Sequence, residues 1–223
     1  RITENSTTPA DSTFRIELKE IGFIDMENET DSNRFISMIA NFDIDSKSNL
    51  YIMDLMKRRI HKYDKNCKFV KSFGRMGNGP GEFEYPGTIN VRKDTVLVPD
   101  LATLQIIKYD TDGNFIKNKR LDDITQFPSY PKKFGDKYIS QSMEIFPDEE
   151  RGGKVMYEEI ALHDGNFNFI RHLYKNKYHS NSTDANDLVK NGLVIAFNDS
   201  LLYVYEKNID KYLIGVFDQE GVK

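Results

Sequence analysis

The sequence predicts an all-β fold made of tandem four-stranded antiparallel units. Helical periodicity is almost absent along the 223 residues. Short runs of β-branched and aromatic residues alternate with clusters of Gly, Asn, Asp and Pro, which is the pattern of short strands joined by tight turns. Several positions also recur at one fixed spacing, which marks an internal repeat. Four pairs are each separated by 46 residues: Asp54 and Asp100, Ile60 and Ile106, Tyr63 and Tyr109, and Phe69 and Phe115.

The first repeat supplies the clearest strands. Its runs are NLYIM at residues 49–53, RIHKY at residues 59–63 and FVKSF at residues 69–73. The polar DKNCK segment at residues 64–68 suits a hairpin turn between the last two runs. The second repeat has the same layout, with its third strand at residues 104–109. A unit of this length matches a four-stranded blade, so the tandem units predict a β-propeller.

The third repeat is weaker and longer. Its third strand is predicted at residues 156–162 and its fourth at residues 167–174. Phe169 matches Phe115 at a spacing of 54 residues, eight more than in the first two repeats. The extra residues are assigned to the polar segment EIFPDEERGGK at residues 144–154, which is predicted to be an inserted loop.

The predicted domain organisation is a flexible tether at residues 1–13 followed by propeller repeats at residues 14–223. The blades are predicted at residues 35–74, 87–121, 132–174 and 191–223, the last one truncated. The fourth blade has predicted strands at residues 192–197, 201–205 and 212–217, and a short helix is predicted at residues 183–190. A closed ring of six such blades needs roughly 250 residues or more. The sequence therefore predicts an incomplete propeller.

Composition excludes several classes of protein. The net charge of −4 gives no electrostatic basis for binding nucleic acid. No apolar run approaches the roughly 18 residues that a membrane-spanning helix needs. The single cysteine, Cys67, excludes a disulfide within the chain and a cysteine-based zinc site.

The segment FGRMGNGPGEFEYP at residues 73–86 resembles the inter-blade loop of NHL-repeat propellers. That family has a Gly-rich stretch ending in Pro-Gly-x-Phe and a further Pro, an Asp after the second strand, and Arg-Ile at the start of the third. The matching residues here, assigned a structural role, are Asp54, Arg59, Gly74, Gly77, Gly79, Pro80, Gly81, Phe83, Pro86 and Asp100.

As a whole, the chain resembles the diverged six-bladed propellers of the NHL-like group found among bacterial envelope proteins. This resemblance implies an extracytoplasmic location, in the periplasm or at the cell surface, while a cytoplasmic location stays open. It also implies that an N-terminal strand, here at residues 14–18, completes the last blade.

No catalytic constellation stands out in the sequence. Residues 74–79 lack the Gly-Lys-Ser/Thr and the helix of a phosphate-binding loop. The Asp110-Thr-Asp-Gly-Asn114 segment starts like a calcium loop, but Leu121 stands where the twelfth-position Glu is required, which favours a hairpin turn. The four histidines show no metal-ligand spacing. We therefore predict no catalytic residue, no metal and no cofactor.

A binding surface is predicted on the face that carries the inter-blade loops and the turns between second and third strands. We call it the loop surface, and its residues are Arg58, Arg75, Met76, Asn78 and Tyr85. Arg and Tyr are enriched at binding hot spots. The favoured function is a non-catalytic propeller that binds a protein, peptide or glycan. Two alternatives stay open: an NHL-like metal-dependent lyase or lactonase, and a structural subunit of an envelope complex.

Overall fold

The computed structural model describes residues 13, 17, 19–20, 22–121, 127–128, 131–147, 149–150, 152–180, 193–198, 200–206, 214–218 and 220. Within these residues fifteen β-strands form four antiparallel sheets, which confirms the predicted all-β fold class. This part of the chain contains no helix with the length and apolarity to cross a membrane. The chain divides into two compact units: one is Lys19–Pro131, and the other combines Arg1–Leu18 with Lys132–Lys223.

The unit Lys19–Pro131 contains two four-stranded sheets whose strands follow the chain in order. The first sheet consists of β1 (Ile39–Ile44), β2 (Leu50–Asp54), β3 (Arg59–Tyr63) and β4 (Phe69–Phe73). The second consists of β5 (Asn90–Arg92), β6 (Thr95–Asp100), β7 (Gln105–Asp110) and β8 (Phe115–Arg120). The predicted strands coincide with β2, β3, β4 and β7 to within one residue.

One hydrophobic core joins these two sheets. Tyr51, Met53 and Ile60 of the first sheet are fully buried with Val96 and Val98 of the second. Burial of such side chains contributes about 1.5–3 kcal/mol each. The sequence produces this core because the inward-facing positions of the inner strands carry aromatic and β-branched residues.

The other unit contains a four-stranded and a three-stranded sheet within the described residues. The four-stranded sheet consists of β9 (Lys132–Phe134), β10 (Lys137–Pro147), β11 (Lys154–His163) and β12 (Phe169–Ser180). The other sheet consists of β13 (Leu193–Phe197), β14 (Leu201–Glu206) and β15 (Ile214–Asp218). Their shared core includes Phe134, Ile160, Leu162, Leu202 and Val204.

The structure differs from the sequence prediction at residues 144–154. Residues 144–147 and Lys154 lengthen β10 and β11, which stay paired without interruption out to Pro147 and Lys154. The fourth strand of the same sheet also extends to Ser180 instead of ending at residue 174. Pairing three long strands satisfies backbone groups that an irregular loop would leave to water.

Four turns share one local design, in which an Asp carboxylate accepts the backbone N–H of the residue four positions later. The four Asp residues are Asp45, Asp64, Asp110 and Asp164. The Asp110 turn joins β7 to β8. The predicted tether at residues 1–13, the strand at residues 14–18 and the helix at residues 183–190 lie almost wholly outside the described residues.

Candidate binding surface

The segment at residues 74–86 is fastened to the core at its Pro-Gly-x-Phe motif. Phe83 is fully buried, with its ring 6.0 Å from that of Tyr109. The Tyr109 hydroxyl donates a 2.6 Å hydrogen bond to the Gly81 carbonyl. Gly74 has a φ of +76°, and a Cβ at this position would lie 2.3 Å from a ring carbon of Phe83. The motif therefore fixes the base of the loop, from which the exposed residues project.

A carboxylate organises the interior of the loop. Glu82 accepts a 2.8 Å hydrogen bond from the Gly79 N–H and contacts the Arg75 guanidinium at 2.6 Å. The Gly79 N–H and, after it, Arg75 lower the pKa of Glu82 below its ordinary value. Backbone hydrogen bonds also join Phe83 to Arg75 and Gly77 to Phe83. Arg75, predicted as a contact residue, thus pairs its charge within its own loop.

Three other residues of the predicted loop surface are Arg58, Met76 and Tyr85. The first two contact each other across two loops. Arg58, in the turn between β2 and β3, donates from Nη1 to the Sδ atom of Met76. Met76 is 63% exposed and Tyr85 is 52% exposed. No carboxylate pairs with Arg58 in the described part of the chain. The structure therefore brings an unpaired cation beside an exposed apolar side chain.

Two buried carboxylates, Asp54 and Asp100, hold the backbone beneath this surface. The N–H groups that donate to Asp54 are those of Ser37, Met38, Met56 and Lys57. Those that donate to Asp100 are the N–H groups of Glu84, Tyr85 and Ala102. One oxygen of Asp54 thereby accepts the backbone N–H groups of both Met38 and Met56, whose side chains are 50% and 68% exposed. The sequence analysis did not select these methionines, although Met56 lies in the turn that carries Arg58.

Asn78, the fifth predicted contact residue, lies at an open depression of about 400 Å³. Its side-chain amide donates a 3.2 Å hydrogen bond to Glu84. The remaining lining residues are Ala102, Thr103, Gln105 and Arg120. The Thr103 hydroxyl is buried and has no hydrogen-bond partner among the described residues. The depression therefore offers polar groups rather than an apolar wall.

His61 forms the arrangement that is nearest to a catalytic array. Its Nδ1 atom is 3.1 Å from the Ser72 hydroxyl, and its Nε2 atom is 3.9 Å from an oxygen of Asp54. Burial lowers the pKa of His61 to about 4, although the charge of Asp54 acts in the opposite direction. The His61 ring has no exposed surface, so no substrate reaches it in this structure.

A second buried histidine lies in the other unit. The His163 Nε2 atom is 2.8 Å from the Ser140 hydroxyl, and burial lowers the pKa of His163 to about 4. Across the described ranges, no three His, Cys, Asp or Glu side chains come together in a way that would hold a metal ion.

Comparison with known families gives one match that covers most of the chain. The family model DUF5128, described as a 6-bladed beta-propeller, matches residues 6–212. No curated protein matches the sequence. Among solved structures, a Bacteroides fragilis protein described as exported has 15% identity and a TM-score of 0.55. The match covers 87% of this chain and 72% of that one.

Two further solved structures are less similar. A DUF4221-family member from Bacteroides vulgatus has 13% identity and a TM-score of 0.47, with 85% of this chain and 60% of that one covered. Virginiamycin B lyase from Staphylococcus aureus has 11% identity and a TM-score of 0.42, with 80% and 69% covered.

Proposed function

The chain belongs to the DUF5128 family of six-bladed β-propellers. We propose that it is a non-catalytic binding propeller. Its loop surface recognises a protein, peptide or glycan. The exposed side chains favour a polypeptide over a glycan, because methionine sulfur and methyl groups offer few hydrogen bonds to hydroxyls.

The observation that carries this proposal is the exposure of methionines on a fixed backbone. Met38, Met56 and Met76 are each at least half exposed. Exposed apolar side chains that are grouped together mark interaction sites. Methionine is unbranched and polarisable, so it adapts to the shape of a partner. The hydrogen bonds to Asp54 hold the backbone of Met38 and Met56 in place, which reduces the cost of ordering the backbone on binding.

The charges of the two arginines on the loop surface indicate which kind of partner would bind. Arg75 is neutralised by Glu82. Arg58 donates to the sulfur of Met76 and has no carboxylate partner among the described residues. An acidic side chain on the partner would pair with Arg58 while neighbouring apolar side chains cover the methionines. We therefore expect a segment in which Asp or Glu lies beside Leu, Phe or Trp.

The test uses a phage-displayed library of random twelve-residue peptides. Peptides selected against the whole chain should be enriched in acidic residues flanked by large apolar ones. The double variant Met56→Ser/Met76→Ser should weaken the Kd of a selected peptide at least tenfold in fluorescence anisotropy. Each such contact at an interface centre is worth more than about 1 kcal/mol. Met143→Ser is the matched control, because Met143 is 52% exposed in the other unit.

Unchanged binding by the double variant would contradict the proposal, as would equal weakening by Met143→Ser. Thermal unfolding of all three proteins should agree within a few degrees, since the replaced side chains are exposed.

An extracytoplasmic location is the second part of the proposal, and the resemblance to NHL-like envelope propellers supports it. Fractionation of the native host into cytoplasmic, periplasmic and membrane fractions tests it directly. Recovery of the protein in the cytoplasmic fraction alone would contradict it.

A further inference from the structure

The third sheet of the protein is unlike the others in the length of its strands. Strands β10, β11 and β12 have 11, 10 and 12 residues, whereas the other described strands have 3 to 6. The outer ends of β10 and β11 include residues 144–147 and Lys154, which belong to the segment that breaks the 46-residue repeat. This extension lies in a different unit from the loop surface.

The register shows which face of the extension is open. Glu144 lies opposite Tyr157, and Phe146 lies opposite Val155, so these four side chains share one face. On the other face, Met156 is fully buried. The open face contains a depression of about 420 Å³, which we call the aromatic cleft. It is lined by Glu144, Phe146, Pro147, Val155, Tyr157 and Glu159.

An aromatic pair forms one wall of the aromatic cleft. The rings of Phe146 and Tyr157 meet edge to face, with centroids 5.9 Å apart and an interplanar angle of 71°. Phe146 is 49% exposed. The Lys177 ammonium lies 5.4 Å from the centroid of the Tyr157 ring. An aromatic surface that is held by its neighbours and open to solvent is suited to stacking against a ligand.

Carboxylates flank this wall. Glu159 is oriented by two partners, the Lys175 ammonium at 2.7 Å and the His172 ring at 3.1 Å. Glu144 is exposed on the same face. Together they supply hydrogen-bond acceptors, while Lys177 supplies donors beside the aromatic pair.

These charges discriminate between classes of ligand. Glu159 is paired with Lys175, and the charge of Glu144 is balanced by that of Lys177 on the same face. These four charges cancel, so neither an anion nor a cation gains a net electrostatic attraction. A wholly apolar ligand would remove water from the carboxylates without replacing their hydrogen bonds, which is costly. A neutral sugar ring fits these surroundings better, because its C–H face packs on an aromatic ring and its hydroxyls donate to carboxylates.

We propose that the aromatic cleft on β10 and β11 binds a neutral saccharide. The exposed Phe146 ring stacks against the sugar ring beside Tyr157, and Glu144 and Glu159 accept hydrogen bonds from its hydroxyls. The depression lies within the usual size range of ligand sites, roughly 300–1,000 Å³. The site is separate from the loop surface, so each is tested without the other.

The test is native affinity electrophoresis of the whole chain in gels containing one soluble polysaccharide each. The neutral probes are yeast mannan, xyloglucan, pullulan and mixed-linkage β-glucan. Polygalacturonate and glycol chitosan are the anionic and cationic comparisons. At least one neutral polysaccharide should retard the protein, and Phe146→Ala should raise the apparent Kd at least tenfold. Glu144→Ala, which changes an exposed side chain, should raise it severalfold without affecting folding.

Two matched controls should leave the retardation unchanged. Phe42→Ala removes an aromatic that is 62% exposed on β1, and Met76→Ser alters the loop surface. The proposal is overturned if no neutral polysaccharide retards the protein, or if only glycol chitosan or polygalacturonate does. It is also overturned if Phe146→Ala and Glu144→Ala bind as tightly as the original chain.

Discussion

Asp54 and Asp100 show how one aspartate in each of the first two repeats organises the backbone around it. Each is the last residue of the second strand of its sheet, and each is fully buried. Their carboxylates accept the backbone N–H groups of the turn that follows the strand and of the segment that precedes the first strand. A charged acceptor satisfies several donors at once, and such hydrogen bonds are stronger than neutral ones.

Replacement of Asp54 should therefore destabilise the folded protein. In Asp54→Ala, four N–H groups lose their acceptor, and we expect the free energy of unfolding to fall by about 2–4 kcal/mol. Asp54→Asn should cost less, because one acceptor oxygen remains. Urea unfolding followed by circular dichroism measures both. Asp94→Ala, an exposed position, should change stability by less than about 0.5 kcal/mol. A loss for Asp54→Ala no larger than that of Asp94→Ala would contradict the role in the turn.

The sequence revealed these aspartates but not the surroundings of the buried histidine. A spacing of 46 residues identifies equivalent positions without any knowledge of pairing. The contact between His61 and Ser72, in contrast, depends on the register of β3 against β4, which includes a bulge. A shift of one residue would place the two side chains on opposite faces. Strand register determines which side chains become neighbours, and the 46-residue periodicity of the sequence does not define that register.

At the scale of elements, the loop at residues 74–86 depends on how closely its backbone approaches Phe83. Gly74 and Gly152 both have positive φ values, +76° and +71°. A Cβ at Gly74 would overlap the Phe83 ring, whereas nothing lies within 4 Å of a Cβ at Gly152. A comparison of the two glycines therefore separates two effects: the cost of a side chain at positive φ, which applies to both, and the overlap with Phe83, which applies to Gly74.

We expect Gly74→Ala to destabilise the protein by several kcal/mol and Gly152→Ala by only about 1 kcal/mol. The smaller cost is that of placing an L-residue in the left-handed region. The larger cost, for Gly74→Ala, also includes displacement of the buried Phe83 ring by the added methyl group, which overpacks the core. Differential scanning calorimetry compares the two variants directly. Equal shifts in Tm would show that the contact with Phe83 does not restrict the loop.

The extension of β10 and β11 shows where element prediction fails. The spacing of 54 residues revealed the insertion and its size, but not its conformation. The segment at residues 144–154 is rich in charged residues and contains Pro147, and both features favour a loop. In the structure, each long strand supplies the other's hydrogen bonds, so tertiary pairing overrides local propensity.

At the scale of the whole molecule, each compact unit contains one fully buried histidine, His61 in Lys19–Pro131 and His163 in the other unit. Burial lowers both pKa values to about 4. In an unfolded chain a histidine has a pKa near 6.5, so the unfolded state takes up protons first as the pH falls. Stability that depends on the neutral rings is complete above pH 6.5 and is lost as the pH falls towards 4.

We expect each histidine to reduce the free energy of unfolding by about 2 kcal/mol between pH 7 and pH 5. Urea titrations at several pH values give the slope of the free energy of unfolding against pH, which counts the protons taken up on unfolding. Between pH 6 and pH 5, His61→Leu should reduce this number by up to one. His163→Leu should do the same, whatever its effect on stability at pH 7. A slope that is identical in the original chain and both variants would show that neither ring stays neutral in the folded state.

The order of strands has a consequence for how the protein acquires its structure. In each described sheet, every strand pairs with the strands next to it along the chain. Contacts that are local in sequence require only short loops to close, and such topologies fold faster than those with distant pairings. On the ribosome, β1 to β4 can pair before β5 has been synthesised, so assembly can proceed sheet by sheet from the N-terminal side.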